Sequence, residues 1–361
     1  MTASTLPDRL AARTLELVDI PSQSRNEAAL AAHVLGVLRA GHVPARDAGD
    51  TCILGGVCER GERPLVLLAG HLDTEPAQDN LPGRIDAGAV HGLGAADMQG
   101  ALAVRLELLL GDRGADAVDV GVVFFGREEL LQHDSALTPL LVREPGLCSA
   151  DLVVMMEPTA NDLHLGCLGN INATWTFSGR SGHAARPWLA DNAIHRAAKG
   201  IAALAAQRDV QHDVHGLVFT EVMSVTQVAG GIAANVIPDH AAAYVNHRYA
   251  PDTSASDAEA RLHAVCDPFG ELVVDSNAPS GGVPAQNGLV DALRRLTDAA
   301  VLPKQAWTPV AEFALAGLDA VNFGPGDPGQ AHTRDEHIAI PALVRCHDAL
   351  DGLLRAGAAA R

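Results

Sequence analysis

Pro64-Leu65-Val66-Leu67-Leu68-Ala69, followed by Gly70-His71-Leu72-Asp73-Thr74, is the stretch on which the fold turns. Its six leading residues are apolar without alternation, which suits a strand buried on both faces of a helix-covered sheet. Runs of the same character recur at 118–125 (VDVGVVFF) and 151–156 (DLVVMM), and a helix-like segment at 100–110 (GALAVRLELLL) separates the first two. The order β, α, β is that of an α/β domain. Upstream, 7–20 and 26–40 predict helices: Leu10, Leu15, Leu17 and Val18, then Leu30, Val34, Leu35 and Leu38, fall near a 3.6-residue period.

From residue 172 the period drops to two. Ile171, Ala173, Trp175 and Phe177 alternate with Asn172, Thr174, Thr176 and Ser178, the pattern of a strand with one wet face. A helix (191–207), two strand-like runs (217–228 and 241–249), a second helix (254–265) and a strand (271–275) complete a βαββαβ order, that of a small ferredoxin-like α+β domain. Beyond Pro279 the α/β character returns, with a helix at 288–300 and a strand at 319–323. The expected organisation is one α/β domain made of residues 1–171 and 278–361, interrupted by a compact domain at 172–277.

A length of 361 residues also fits two domains. The charge balance, 26 Lys and Arg against 44 Asp and Glu for a net charge of −18, argues against nucleic acid or an anionic membrane as partner, since either needs a basic face. Surface solubility accounts for such acidity, and so would carboxylates turned inward onto metal ions. The six cysteines form no CxxC pair, which fits reduced thiols better than a disulfide framework. The N-terminal stretch lacks a basic region followed by an apolar core, and no apolar run approaches the roughly 18 residues of a membrane span. The expectation is a cytoplasmic protein.

Five features stand where predicted strands end. His71 and Asp73 follow the first strand on one side of the chain. Asp97 sits in the glycine-rich turn GLGAADMQG before a helix, where an N-cap is the ordinary reading. Glu128-Glu129 closes VVFFGREE, Glu157 ends MMEPT, and His332 lies in the irregular stretch GPGDPGQAHTRDEH. Singly, each reads as structural. Together they gain weight, because ligand sites of open α/β sheets lie at the carboxyl ends of the strands. Two His and three carboxylates converging there could hold two divalent ions, and a further carboxylate could take a proton from water.

In order and spacing these motifs resemble the co-catalytic zinc aminoacylase and carboxypeptidase family. Within it, GHLDTEPAQDNLP, SGRSGHAARPWLADNAIHRAA, NVIPDHAAAYVNHRYAPD and VNFGPGDPGQAHTRDEH are similar to segments of its actinobacterial desuccinylase branch. The resemblance runs from about residue 10 to about 350. It implies a di-zinc exopeptidase-like catalytic domain with an inserted dimerisation domain, and a homodimer. It implies two divalent ions, Zn2+ first and Co2+ as the alternative: His71 and Glu157 on one, Glu129 and His332 on the other, Asp97 bridging. Asp73 would accept from the ring N–H of His71, and Glu128 would be the general base. His183 would reach into the site of a partner subunit to steady an oxyanion, while Asn235 and Arg248 would hold substrate carboxylates and Thr308 would join them in substrate binding. The implied activity is removal of an N-acyl group, succinyl foremost, from a small-molecule N-acyl amino acid in lysine biosynthesis.

One stretch departs from that branch. Where it generally reads Trp-Thr-Asp-Val-Ala-Arg-Phe, this chain has Trp307-Thr308-Pro309-Val310-Ala311-Glu312-Phe313. An Asp becomes Pro309 and an Arg becomes Glu312, so either the substrate differs or both changes are compensated in a surface loop. A deacylase or dipeptidase acting on another N-acyl amino acid, peptide or biosynthetic intermediate is therefore the alternative activity. A metal-free binding protein on the same scaffold is the non-enzymatic one.

Overall fold

The computed structural model describes residues 4–114, 116–297 and 299–359. The chain forms two compact units. The outer unit runs up to Gly166 and includes Pro284–Leu302 and everything from Glu312 onward; the inserted unit is Cys167–Val283 together with Pro303–Ala311. The segment Pro303–Ala311, expected with the outer domain, thus lies with the insert.

The outer unit opens with α1 (Leu6–Val18), whose start is fixed by a capping box. The Thr5 side chain accepts from the Asp8 N–H, the Asp8 carboxylate accepts from the Thr5 N–H, and Pro7 sits in the first turn. Then come α2 (Ala28–Ala40), β1 (Ala45–Asp47), β2 (Ile53–Gly56), β3 (Leu65–His71), α3 (Gly100–Leu110), β4 (Asp119–Phe125), α4 (Leu137–Arg143), β5 (Leu152–Met155) and β6 (Leu163–Leu165). The inserted unit supplies β7 (Gly169–Ser178), α5 (Ala193–Ala205), β8 (Val210–Val214), β9 (Leu217–Gly230), β10 (His240–Tyr249), α6 (Ala255–Cys266) and β11 (Glu271–Ala278). The chain ends with α7 (Gly288–Thr297), β12 (Val301–Pro303), α8 (Val310–Leu315), β13 (Ala320–Asn322) and α9 (Ile340–Ala356).

Eight strands form one mixed sheet in the order β1-β2-β4-β3-β5-β13-β6-β12. Every residue of β3 is buried, as its unbroken apolar run requires. Neighbours β4 and β5 run parallel to it, with His71 level with Phe125 and Ala69 with Met155. Because these strands end together, the residues just beyond them emerge at a single edge. Gly70 makes room beneath that edge: a Cβ there would stand 2.5 Å from Met98 Cε and 2.6 Å from the Arg105 guanidinium. Arg105 itself is fully buried, donates to the Val123 carbonyl at 3.1 Å, and lies 4.4 Å from the centre of the Phe124 ring.

In the inserted unit an antiparallel sheet runs β8-β9-β10-β7-β11, and the burial of β7 alternates strictly along its length. Its inner face (Ile171, Ala173, Trp175, Phe177, Val245 and Tyr249) packs with Ala193, Ala197 and Leu204 of α5 and Ala258, Leu262 and Cys266 of α6. The four expected strands and two helices are present in ferredoxin-like order. An unexpected strand, β8, forms a hairpin with β9, pairing Val210 with Glu221 through to Val214 with Leu217.

Candidate metal centre

His71 ends β3 fully inside the outer unit. Its Nδ1 lies 2.9 Å from the backbone carbonyl of Asp73 and 3.7 Å from that residue's carboxylate. The ring N–H therefore donates to the Asp73 backbone, not to its side chain as expected, and Nε2 is turned into the site. The Asp73 carboxylate is committed elsewhere. It accepts from the backbone N–H groups of Glu128 (3.0 Å) and Glu129 (3.1 Å) and from the Ser24 hydroxyl (2.8 Å). A buried carboxylate bonded to two successive amides fixes the turn that presents both glutamates.

Asp97 does not cap α3, whose N-cap position is Gln99. It lies in the preceding turn, where its Oδ1 is 3.2 Å from His71 Nε2 and its Oδ2 is 3.6 Å from His332 Nε2. One carboxylate thus faces both histidines, as a bridging ligand must. The turn is anchored by Glu336, a residue the sequence reading passed over. Its buried carboxylate accepts from the N–H groups of Gly94 (2.8 Å), Ala96 (2.9 Å) and Asp97 (3.0 Å). Burial pushes Glu336 up to about 7 against the pull of those amides.

His332 is 51% exposed and reaches Glu129 at 3.1 Å. Its loop is tied to the segment after β3: Gln78 donates to the His332 carbonyl (3.0 Å), Asn80 to that of Thr333 (3.4 Å), and Arg334 pairs with Asp79 at 2.8 Å. Glu157, just past β5, stands 3.9 Å from His71 Nε2. Three overlapping groups have ligand atoms within 4.8 Å of one another: His71 with Asp97 and Glu157, His71 with Glu128 and Glu129, and Glu75 with Glu129 and His332. All five expected ligands and Glu128 are thereby brought together, and Glu75 is an addition.

The electrostatics are those of a crowded anion cluster. Burial, then the charge of Glu157, pushes Glu128 well above its ordinary value, with Glu129 and Asp97 adding and His71 opposing. Burial also raises Glu129, against its hydrogen bond with His332. Burial opposes a charge on His71, yet the bond to Asp97 and the neighbouring carboxylates outweigh it and hold the imidazole well above its usual value. The bond to Glu129 lifts His332 to about 9. Carboxylates and imidazoles facing one space in this way fit divalent cations, which bind the deprotonated forms of both and relieve the mutual repulsion.

The remaining expected residues belong to the inserted unit. His183 is exposed on a two-residue strand paired with Val236–Ile237. Its Nδ1 accepts from the Ala185 N–H at 3.0 Å, leaving Nε2 as the donor of the neutral ring. The Asn235 carbonyl accepts from Ala184 N–H at 2.9 Å. Arg248 donates to Asn246 at 2.9 Å, and burial lowers its pKa. Thr308 is buried, its Oγ1 without a hydrogen-bond partner among the described residues. The two departures are buried as well, so the surface-loop account fails. Pro309 is enclosed, and Glu312, in the outer unit, accepts from the Thr138 N–H (3.1 Å) and hydroxyl (2.5 Å) and from Ser135 (3.2 Å) at the start of α4.

A family model described as the peptidase dimerisation domain, M20_dimer, matches residues 166–271. The chain is 39% identical over 344 residues to a Mycobacterium tuberculosis protein assigned as the succinyl-diaminopimelate desuccinylase DapE, covering 93% of this chain and 95% of that one. It is 34% identical to a succinyl-diaminopimelate desuccinylase of Corynebacterium glutamicum, covering 92% of each. Among solved structures, a Staphylococcus aureus tripeptidase superposes with a TM-score of 0.78 over 98% of this chain and 99% of that one; at 18% identity this likeness concerns the fold. Among the described residues no helix is long and apolar enough to cross a membrane.

Proposed function

Since the chain belongs to the M20 family of metal-dependent hydrolases, we propose that it removes the succinyl group from N-succinyl-diaminopimelate by hydrolysis of the amide. The observation carrying this reading is that His71, Asp97, Glu129, Glu157 and His332 converge at one sheet edge with Glu128 beside them.

In this reading His71 and Glu157 would hold one ion and Glu129 and His332 the other, with Asp97 as a ligand available to both. Two Zn2+ ions so bound would polarise the amide carbonyl and acidify the attacking water. Glu128 takes the proton of that water and returns it to the leaving amine, a task suited to a partly buried carboxyl standing beside the candidate ligands. Asp73 keeps Glu128 and Glu129 in place through their amides. Asn235, Arg248 and Thr308 bind the substrate, and His183 offers its Nε2–H to the oxyanion in the site of a second copy.

We infer a homodimer joined through the inserted unit. There, among the described residues, β8 pairs only with 217–221 of β9, and Val228 and Ile232 are 65% and 88% exposed. An open strand edge with exposed apolar side chains suits a two-fold contact with a second copy. The six unbridged cysteines support a cytoplasmic setting.

A second reading is favoured by Glu312. Its carboxylate is spent on α4, so it adds no free negative charge, but the cation found there in desuccinylases is missing, which points to a different N-acyl amino acid. A hydrolysis screen of N-succinyl-diaminopimelate, other N-acyl amino acids and dipeptides separates the two readings; turnover of acetylornithine or a dipeptide without turnover of the succinyl substrate selects the second. Glu128→Ala should retain metal and lose turnover, and a variant that still turns over removes Glu128 from the base role.

A further inference from the structure

Glu75 lies one residue beyond the segment that carries His71 and Asp73, and nothing in the proposed reaction uses it. Its backbone is held firmly. The preceding residue, Thr74, donates to the Ser22 carbonyl and accepts from Ser24 N–H, both at 3.1 Å, and the following residue is Pro76, whose φ is fixed by its ring. Three residues further on, Gln78 grips the His332 carbonyl. Glu75 is therefore built into the same support as the His332 loop. Its side chain is only partly accessible, and its carboxylate forms, with Glu129 and His332, a group whose ligand atoms lie within 4.8 Å of one another.

We propose that Glu75 is a further protein ligand of the cation held by Glu129 and His332. The inference rests on the metal-dependent reading above and makes its two positions unequal. One has His71, Glu157 and the shared Asp97, three protein donors. The other has Glu75, Glu129, His332 and the shared Asp97, three carboxylates and one imidazole. Four protein donors complete the usual zinc coordination, whereas three leave an open position. The additional carboxylate also makes the second position harder, moving its preference towards Mn2+ relative to a position with fewer oxygen donors. The ion beside His332 would accordingly be the more tightly kept, and the ion beside His71 the one that exchanges and meets substrate.

The test uses the full-length protein stripped of metal, as wild type, Glu75→Ala and Glu75→Asp. Zn2+ and Mn2+ are titrated by calorimetry against a competing chelator, and the Co2+-loaded forms are read by visible absorption. Wild type should bind two ions. Glu75→Ala should weaken one of them by about tenfold or more, in line with the loss of a supporting group at a metal site, while the other keeps its affinity. Glu75→Asp keeps the charge but shortens the reach, so its Co2+ bands should change with those of Glu75→Ala. Two ions bound with wild-type affinity in Glu75→Ala overturn the inference and leave the hydrolase reading standing. So do two ions weakened alike, or Co2+ bands that stay unaltered in both variants, because a distant field and not a bond would then be acting. Wild type binding no ion overturns the inference and the metal-dependent reading together.

Discussion

Asp73→Asn separates two roles that one carboxylate could have beside a metal ligand. The wild-type side chain is fully buried and accepts three hydrogen bonds: Glu128 N–H on one oxygen, Glu129 N–H and the Ser24 hydroxyl on the other. Asparagine has a single acceptor oxygen, so in either orientation its NH2 group confronts a backbone N–H. One buried amide left unsatisfied costs about 1–3 kcal/mol, and the surviving bonds lose the assistance of a full charge, worth about 1 kcal/mol more. For a unit of this size the sum corresponds to a fall in Tm of about 4–16 °C. Calorimetric unfolding of the metal-free protein measures it directly. The turn carrying Glu128 should shift, so kcat should fall, while the ion beside His71 should keep its affinity because the imidazole donates to the Asp73 backbone, which the substitution preserves. A variant that unfolds within about 1 °C of wild type but loses that ion would refute the reasoning and return the carboxylate to the histidine ring.

Two further outcomes follow from buried and exposed groups elsewhere. Burial raises the pKa of Glu312 despite its hydrogen bonds from Thr138 and Ser135. The folded state therefore holds that proton more tightly than the unfolded chain, and its contribution to stability declines as pH rises from the ordinary glutamate range through the raised folded value. Glu312→Gln cannot titrate, so the Tm of wild type minus that of the variant should fall across that interval; a pH-independent difference would contradict the raised value. In the inserted unit, charges at Val228 and Ile232 should dissociate the proposed dimer. Sedimentation velocity should show wild type as a dimer and the double glutamate variant as a monomer, and a variant that remains dimeric places the interface elsewhere.

The central strands were readable because β3, β4 and β5 are buried on both faces, which leaves an unbroken apolar run as their mark. The candidate ligands His71, Glu129 and Glu157 were readable for a related reason: they stand at or just beyond the ends of β3, β4 and β5, which run parallel and share an edge, whereas Asp97 and His332 come from turns. What a sequence conceals is the partner of a carboxylate. Asp73, Glu312 and Glu336 look alike as letters, yet each is consumed by backbone amides 55 or more residues away: Glu128 for Asp73, Thr138 for Glu312 and Gly94 for Glu336. Strand β8 escaped notice because VQHDV has little apolar character and its turn, His215-Gly216, lacks the Asn-Gly signature. Both turn residues nevertheless take the left-handed conformation, φ 54° and 83°, that a tight hairpin requires. Glu75 was open to detection, lying two positions from Asp73 and so on the same side of an extended chain.

The placement of β13 between β5 and β6 has a consequence for biogenesis. Residues 320–322 leave the ribosome after every other strand of that sheet, yet they occupy an interior position in it, and His332 and Glu336 emerge later still. The inserted unit has nearly all of its strands and helices in one continuous stretch and can take shape while the outer sheet is still incomplete. Until residues 320–336 are made, β5 and β6 lack their common neighbour and the Asp97 turn lacks its anchor, so a chain stopped before them would have no finished place for a cation. In the proposed reading the place for a cation is finished only after His332 and Glu336 have been made, so metal uptake would follow the folding of the inserted unit.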